Sequence, residues 1–153
     1  MVESDCERLI FEMGLYKASF PKTLLYSEIH FWFQARPNNV TRIGLSAYAG
    51  RLLTDLFRIE WKVYVGEQVQ SEQCLGEVES TKAASELYAP MSGKLVDINA
   101  AAVNDPSCVS LEPYENWLLE FEGQPERVMQ PREYTDYLAS GWDETVKLLK
   151  GQA

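Results

Sequence analysis

Residues 78–90 read VESTKAASELYAP and are followed by Met91-Ser92-Gly93. Lys82 lies between two short β-prone runs, with Ser80 and Thr81 before it and two alanines after it. Small and hydroxylic residues on both sides favour a tight reversal, so Lys82 is expected to project from the tip of a β-hairpin. The flanks carry a rough internal echo. Gly66-Glu67-Gln68-Val69 lies sixteen residues before Lys82, and Gly93-Lys94-Leu95-Val96 begins eleven residues after it. Each supplies a glycine turn and then a strand, as two similar hairpins meeting about a pseudo-twofold axis would.

Working outward, the chain from Gly66 onward is short-stranded and glycine-punctuated, with expected strands at 68–69, 74–79, 84–88, 94–99 and 117–121. Such spacing suggests an antiparallel barrel or sandwich and not βαβ units. Upstream, residues 24–34 are dense in Leu, Tyr, Ile, Phe and Trp and read as a buried strand. Arg36-Pro37-Asn38-Asn39 is a turn signal leading into a strand at 40–45. Ser46 is a plausible N-cap for a short helix to about Leu53. Residues 57–65 alternate, placing Phe57, Ile59, Trp61, Val63 and Val65 on one face. Residues 2–13 could form one helix with Cys6, Leu9, Ile10 and Met13 on one side, ended by Gly14. The tail from Pro131 reads as a helix, with Tyr134, Leu138, Trp142, Val146 and Leu149 as its apolar stripe. The expected organisation is therefore one domain over 1–153: an N-terminal helical extension (1–22), a β core (25–121) and a C-terminal helix (131–150).

Composition excludes several function classes. The chain has 153 residues, 46% of them apolar and 24% charged, which suits one compact domain needing no metal or disulfide staple. Acids outnumber bases 23 to 14, the opposite of a nucleic-acid binder's basic footprint. The whole charge of −9 falls in residues 72–153, with 15 acids against six bases, while residues 1–71 balance eight of each. That asymmetry is either a solubilising surface or a field that steers a positively charged partner. No apolar run approaches a membrane span, and the start has neither a secretory nor a transit-peptide character. Cys6, Cys74 and Cys108 form no C-x-x-C and, with one histidine, make no usual zinc site, which points to a reducing cytoplasmic compartment.

At Glu79-Ser80-Thr81-Lys82-Ala83-Ala84-Ser85-Glu86-Leu87-Tyr88-Ala89-Pro90 the sequence resembles the lipoylation motif of glycine cleavage system H-proteins, E-S-x-K-A-A-S followed by (S/A)-P-x-S-G. Asn99, Asn104-Asp105-Pro106, Pro113-Tyr114-Glu115-x-Trp117 and the upstream Ile43-Gly44-Leu45-Ser46 also follow that family in order and approximate spacing. The resemblance implies a mainly β lipoyl/biotinyl hammerhead, an antiparallel barrel-sandwich with short helices and a C-terminal helix. It implies lipoic acid in amide linkage to Lys82, with Glu79, Ser80 and Glu86 serving that site, and no catalytic residue or metal. The partners it implies are glycine decarboxylase, aminomethyltransferase, dihydrolipoyl dehydrogenase and a lipoate-attachment enzyme, acting on a monomer. In that scheme the arm takes an aminomethyl group after glycine decarboxylation, passes it to the tetrahydrofolate-dependent transferase and is reoxidised by the dehydrogenase.

The chemistry of the residues agrees with a carrier. Amide formation removes the ammonium charge and lengthens a flexible stem. A Schiff-base or general-base lysine would need desolvation that a hairpin tip does not provide. An S-x-x-K pair fails because Glu79 stands three before Lys82, and the methionines that flank biotinyl lysines are replaced by Thr81 and Ala83.

The pattern departs from the family in places. H-proteins usually have His-Glu-Trp near the N-terminus, whereas this chain has His30-Phe31-Trp32, leaving Glu86 alone to pair with a cationic methylamine. The terminal Gly-Trp element becomes Asn116-Trp117. Two alternatives therefore stay open: an H-like lipoate carrier of another pathway (sulfur oxidation or lipoyl relay), or an unmodified hammerhead acting as an interaction module.

Overall fold

The computed structural model describes residues 8–151, with side chains through Gly141. The chain opens with a hairpin of β1 (Arg8–Met13) and β2 (Tyr16–Pro21), paired from Arg8↔Pro21 to Met13↔Tyr16. This corrects the helix expected in the N-terminal extension; its residues 2–7 lie outside the described part. Leu9, Ile10 and Met13 fit a helical spacing, but Leu9, Phe11 and Met13 also alternate, and Ile10 is the residue left exposed. Gly14 at φ +66 makes the two-residue turn that a helix C-cap would also have used.

The expected single strand at 24–34 is two strands, β3 (Leu25–Tyr26) and β4 (Phe31–Arg36), parted by a reversal in which His30 has φ +71. Asn38 and Asn39, both left-handed, carry β4 into β5 (Val40–Leu45). Ser46 caps α1 (Ala47–Leu52) by accepting from the Ala49 amide. Next come β6 (Leu56–Trp61), β7 (Gln68–Val69), β8 (Cys74–Ser80), β9 (Ala84–Tyr88) and β10 (Gly93–Ile98). Two short helices, α2 (Ala100–Asn104) and α3 (Ser107–Leu111), were not anticipated, although Asn99 caps the first. Finally β11 (Leu119–Glu122) and α4 (Pro131–Gly151) follow, the latter starting at the expected proline with Glu133 in its first turn.

The strands form antiparallel sheets ordered β3-β4-β5-β11-β10-β7 and β6-β8-β9. The two halves of the sequence echo meet directly, Gly93 opposite Val69 and Lys94 opposite Gln68. Both sheets line one core that includes Ile43, Leu45, Val78, Leu87, Leu95 and Phe121. The mainly β barrel-sandwich with short helices and a C-terminal helix is thus present. A second core holds the hairpin and α4 against α1 through Phe20, Tyr26, Trp32, Tyr48, Tyr134 and Leu138. The Tyr114 hydroxyl donates to the Ser19 carbonyl (2.6 Å) and accepts from the Ala47 amide (3.0 Å), tying hairpin to helix. In α4, Tyr134 and Leu138 are buried as the apolar stripe requires; the side chains of Trp142, Val146 and Leu149 lie outside the described residues.

The alternation expected at 57–65 breaks at its start. A β-bulge between Leu56 and Arg58 shifts the register against β8, so Leu56, Ile59 and Val63 are buried while Phe57 is 56% exposed. Val65 is also exposed.

Candidate functional site

The β8–β9 hairpin pairs Glu79 with Ala84 and closes with the Ser80 amide donating to the Ala83 carbonyl (2.8 Å), leaving Thr81-Lys82 as a two-residue loop. Ser80 is 7% exposed, and its hydroxyl braces the turn from inside. It accepts from the Lys82 amide (3.3 Å) and the Ala83 amide (3.2 Å) and reaches the Ala83 carbonyl (3.2 Å). The hydroxylic residue before Lys82 has a local physical role: the buried serine supplies hydrogen bonds to the turn backbone that the strand ladder no longer makes. Lys82 is exposed, and among the described residues nothing pairs with its ammonium.

Glu79 faces outward one residue before the brace. Arg58 on β6 grips its carboxylate, Nε to Oε1 at 2.6 Å, and also pairs with Glu60 and, at 3.7 Å, with Glu77. Those hydrogen bonds hold the Arg58 guanidinium even more firmly protonated than usual. Glu86, on β9, accepts from the Tyr88 hydroxyl (2.6 Å), and this bond first of all lowers its pKa. The sequence-derived residues therefore share one hairpin, with Lys82 free at the apex, Ser80 within the turn, and Glu79 and Glu86 on its two arms. Arg58 and Tyr88 were missed. Their only signal is register: Arg58 stands opposite Glu79, and Tyr88 is two residues beyond Glu86.

A cavity of about 300 Å³ begins three residues past Lys82, where Ser85, Glu86 and Leu87 line it with Phe31, Leu45, Ala49, Leu52 and Leu53. Phe31 is 1% exposed, so the position where the family has glutamate contributes an apolar wall. Glu28, His30, Glu86 and Tyr88 are the titratable residues along it. A free exposed amine beside a small, mostly apolar cavity fits an uncharged acyl chain ending in a cyclic disulfide. A larger groove of about 600 Å³, lined by Tyr26, Met91, Arg127 and Met129 among others, contains none of the four sequence-derived residues.

His30 borders the same cavity. Its Nδ1 lies 2.9 Å from the Tyr134 hydroxyl, which lies 2.8 Å from the Ser46 hydroxyl. His30 Nδ1, the Tyr134 hydroxyl and the Ser46 hydroxyl thus form one hydrogen-bonded chain, ended by the Ala49 amide donating to Ser46 Oγ. Burial keeps the imidazole neutral, its pKa lowered to about 4. His30 is thus a satisfied structural residue.

A family model described as glycine cleavage H-protein matches residues 24–141. The probable glycine cleavage system H protein of Thermococcus kodakarensis is 35% identical over 136 residues, 86% of this chain and 99% of that protein. The glycine cleavage system H protein of Thermobifida fusca is 37% identical over 120 residues, 76% of this chain and 94% of its own. A crystal structure of a glycine cleavage system H protein from Mycobacterium marinum superposes with a TM-score of 0.69 at 32% identity, covering 80% of this chain and 98% of that one.

Proposed function

The chain belongs to the glycine cleavage H-protein family, and from that membership we propose that it is the lipoyl carrier of the glycine cleavage system, with lipoate in amide linkage to Lys82. The observation that carries the assignment of the residue is the exposed ammonium, unpaired among the described residues, at the apex of a braced two-residue loop. Ser80 holds the backbone of that loop, so the anchor is positioned without its side chain being restrained. Glu79, fixed by Arg58, presents a set carboxylate surface three residues before the lysine. The cavity walled by Phe31, Leu53 and Leu87 offers the apolar end of the arm a place out of water, and Glu86 supplies a carboxylate at its side. When attached, the lipoyl group supplies reversible disulfide–dithiol chemistry.

We read the protein as non-catalytic and as a substrate in turn for glycine decarboxylase, aminomethyltransferase and dihydrolipoyl dehydrogenase, after a lipoate-attachment enzyme has modified it. Its core runs over residues 25–121 of a single domain, to which the β1–β2 hairpin and α4 are additions. Among the described residues no helix is long and apolar enough to cross a membrane; the cysteine pattern supports a cytoplasmic setting. The relatives above are all glycine cleavage H-proteins, which gives a carrier of another pathway or an unmodified module no support.

Lipoylated protein in a reconstituted system is expected to support glycine–bicarbonate exchange, and Lys82→Arg to lose both the lipoyl mass increment and the exchange. Retained exchange in Lys82→Arg overturns the assignment.

A further inference from the structure

The carrier reading leaves the outward turn of Phe57 unused. The residue emerges at the bulge between Leu56, which stands opposite Ser80, and Arg58, which stands opposite Glu79. Neighbouring strands run about 5 Å apart, so the ring leaves the edge strand β6 beside the base of the Lys82 loop. Regular alternation with Ile59 would have buried it. The bulge instead gives up regular pairing and re-aims the side chain outward, a habit of bulges next to functional sites. Of the six phenylalanines, Phe57 is the one exposed.

We propose that Phe57 is the apolar anchor by which the lipoate-attaching enzyme grips this chain before acylating Lys82. The inference rests on the lipoyl-Lys82 reading and adds the surface that recognises it. In the reaction served, the amine of Lys82 loses a proton and forms an amide bond with the lipoyl carbon. The bond from that carbon to adenylate phosphate breaks, and AMP leaves. Such an enzyme must hold the amine in line with the acyl carbon, yet the loop offers only Thr81, Ala83 and Ala84 around the lysine, none of them a large apolar handle. Phe57 is the nearest such handle along the paired strands.

Its surroundings have the anatomy of a binding hot spot, an aromatic side chain within a polar rim. Arg58, Glu60, Glu77 and Glu79 form that rim through their ion pairs. Glu60, Glu77 and Glu86 stand directly opposite one another across the three strands, with Arg58 and Lys62 against Glu77. The complementary partner surface is an apolar pocket bordered by basic groups.

The test is lipoylation of the purified, unmodified protein by a lipoate–protein ligase with lipoate and ATP, followed by intact mass over a range of protein concentrations. Phe57→Ser is expected to raise KM about tenfold with kcat unchanged, and Phe57→Tyr to keep the wild-type KM. Tyr64→Ser, at a residue 68% exposed beyond the far end of β6, is expected to change nothing. Should Phe57→Ser fold poorly by circular dichroism, Phe57→Lys, suited to an edge strand, takes its place with the same expected rise. An unchanged kcat/KM in the folded variant overturns the anchor while leaving Lys82 as attachment site. A wild-type protein that gains no lipoyl mass overturns both.

Discussion

His30 illustrates how one residue can tie the fold to pH. Largely buried and neutral, with its Nδ1 hydrogen-bonded to the Tyr134 hydroxyl, it has a folded-state pKa of about 4 against an ordinary 6.5. Between those values the unfolded chain binds a proton that the folded chain refuses, so stability is complete above pH 6.5 and falls as pH drops toward 4. The loss is about 3 kcal/mol by linkage. Asparagine tolerates the left-handed backbone at this position; urea unfolding of His30→Asn at pH 7 and pH 4 is expected to show a pH loss smaller than wild type's by about that amount. Gly76 is governed by space instead, since a Cβ there would run into the Glu60 carbonyl oxygen. Gly76→Ala is expected to lower unfolding free energy by about 2 kcal/mol or more in the same assay. Lys82, the Ser46 cap and the asparagine turn were legible because each is a local arrangement. The His30–Tyr134 bond joins residues 104 positions apart, and nothing local announces it.

Among the elements, the N-terminal hairpin and α4 belong to one small structure clamped on the barrel. Tyr134 stacks on Tyr26 with ring centres 4.7 Å apart and meets Phe20 edge-on at 5.2 Å. Leu138 is buried one turn further along. Leu138→Ala is expected to cost about 2–4 kcal/mol, measured by denaturant unfolding. Tyr134→Phe should cost about 1–3 kcal/mol by leaving the Ser46 and His30 partners unmet. The misread hairpin shows the limit of periodicity: a short apolar run satisfied both a helical and an alternating spacing, and pairing with residues 16–21 decided between them. The bulge in β6 is likewise set by its partner strand. By contrast, α4 was readable because proline, an acidic first turn and a long stripe agree.

At the scale of the whole molecule, the charge of −9 is concentrated in the half that contains Lys82. If this field steers partner enzymes, the second-order rate at which dihydrolipoyl dehydrogenase oxidises the reduced lipoyl protein should fall as salt rises from 0.05 to 0.5 M, because the Debye length shrinks from roughly 14 Å to roughly 4 Å. A salt-independent rate, read by stopped-flow NADH formation, would assign the charge to solubility alone. The barrel-sandwich was foreseeable from short strands at even spacing, and the carrier motif from its specific run around Lys82. The order β3-β4-β5-β11-β10-β7 was not, because it brings together strands from both ends of the chain.

The free ammonium at the loop apex has a bearing on biogenesis. Under the attachment proposed above, converting it to an amide removes no bond that holds the protein together, so the modified form should melt no lower than the unmodified one. Attachment can therefore follow folding, and a newly made chain can wait for its prosthetic arm without being recognised as defective.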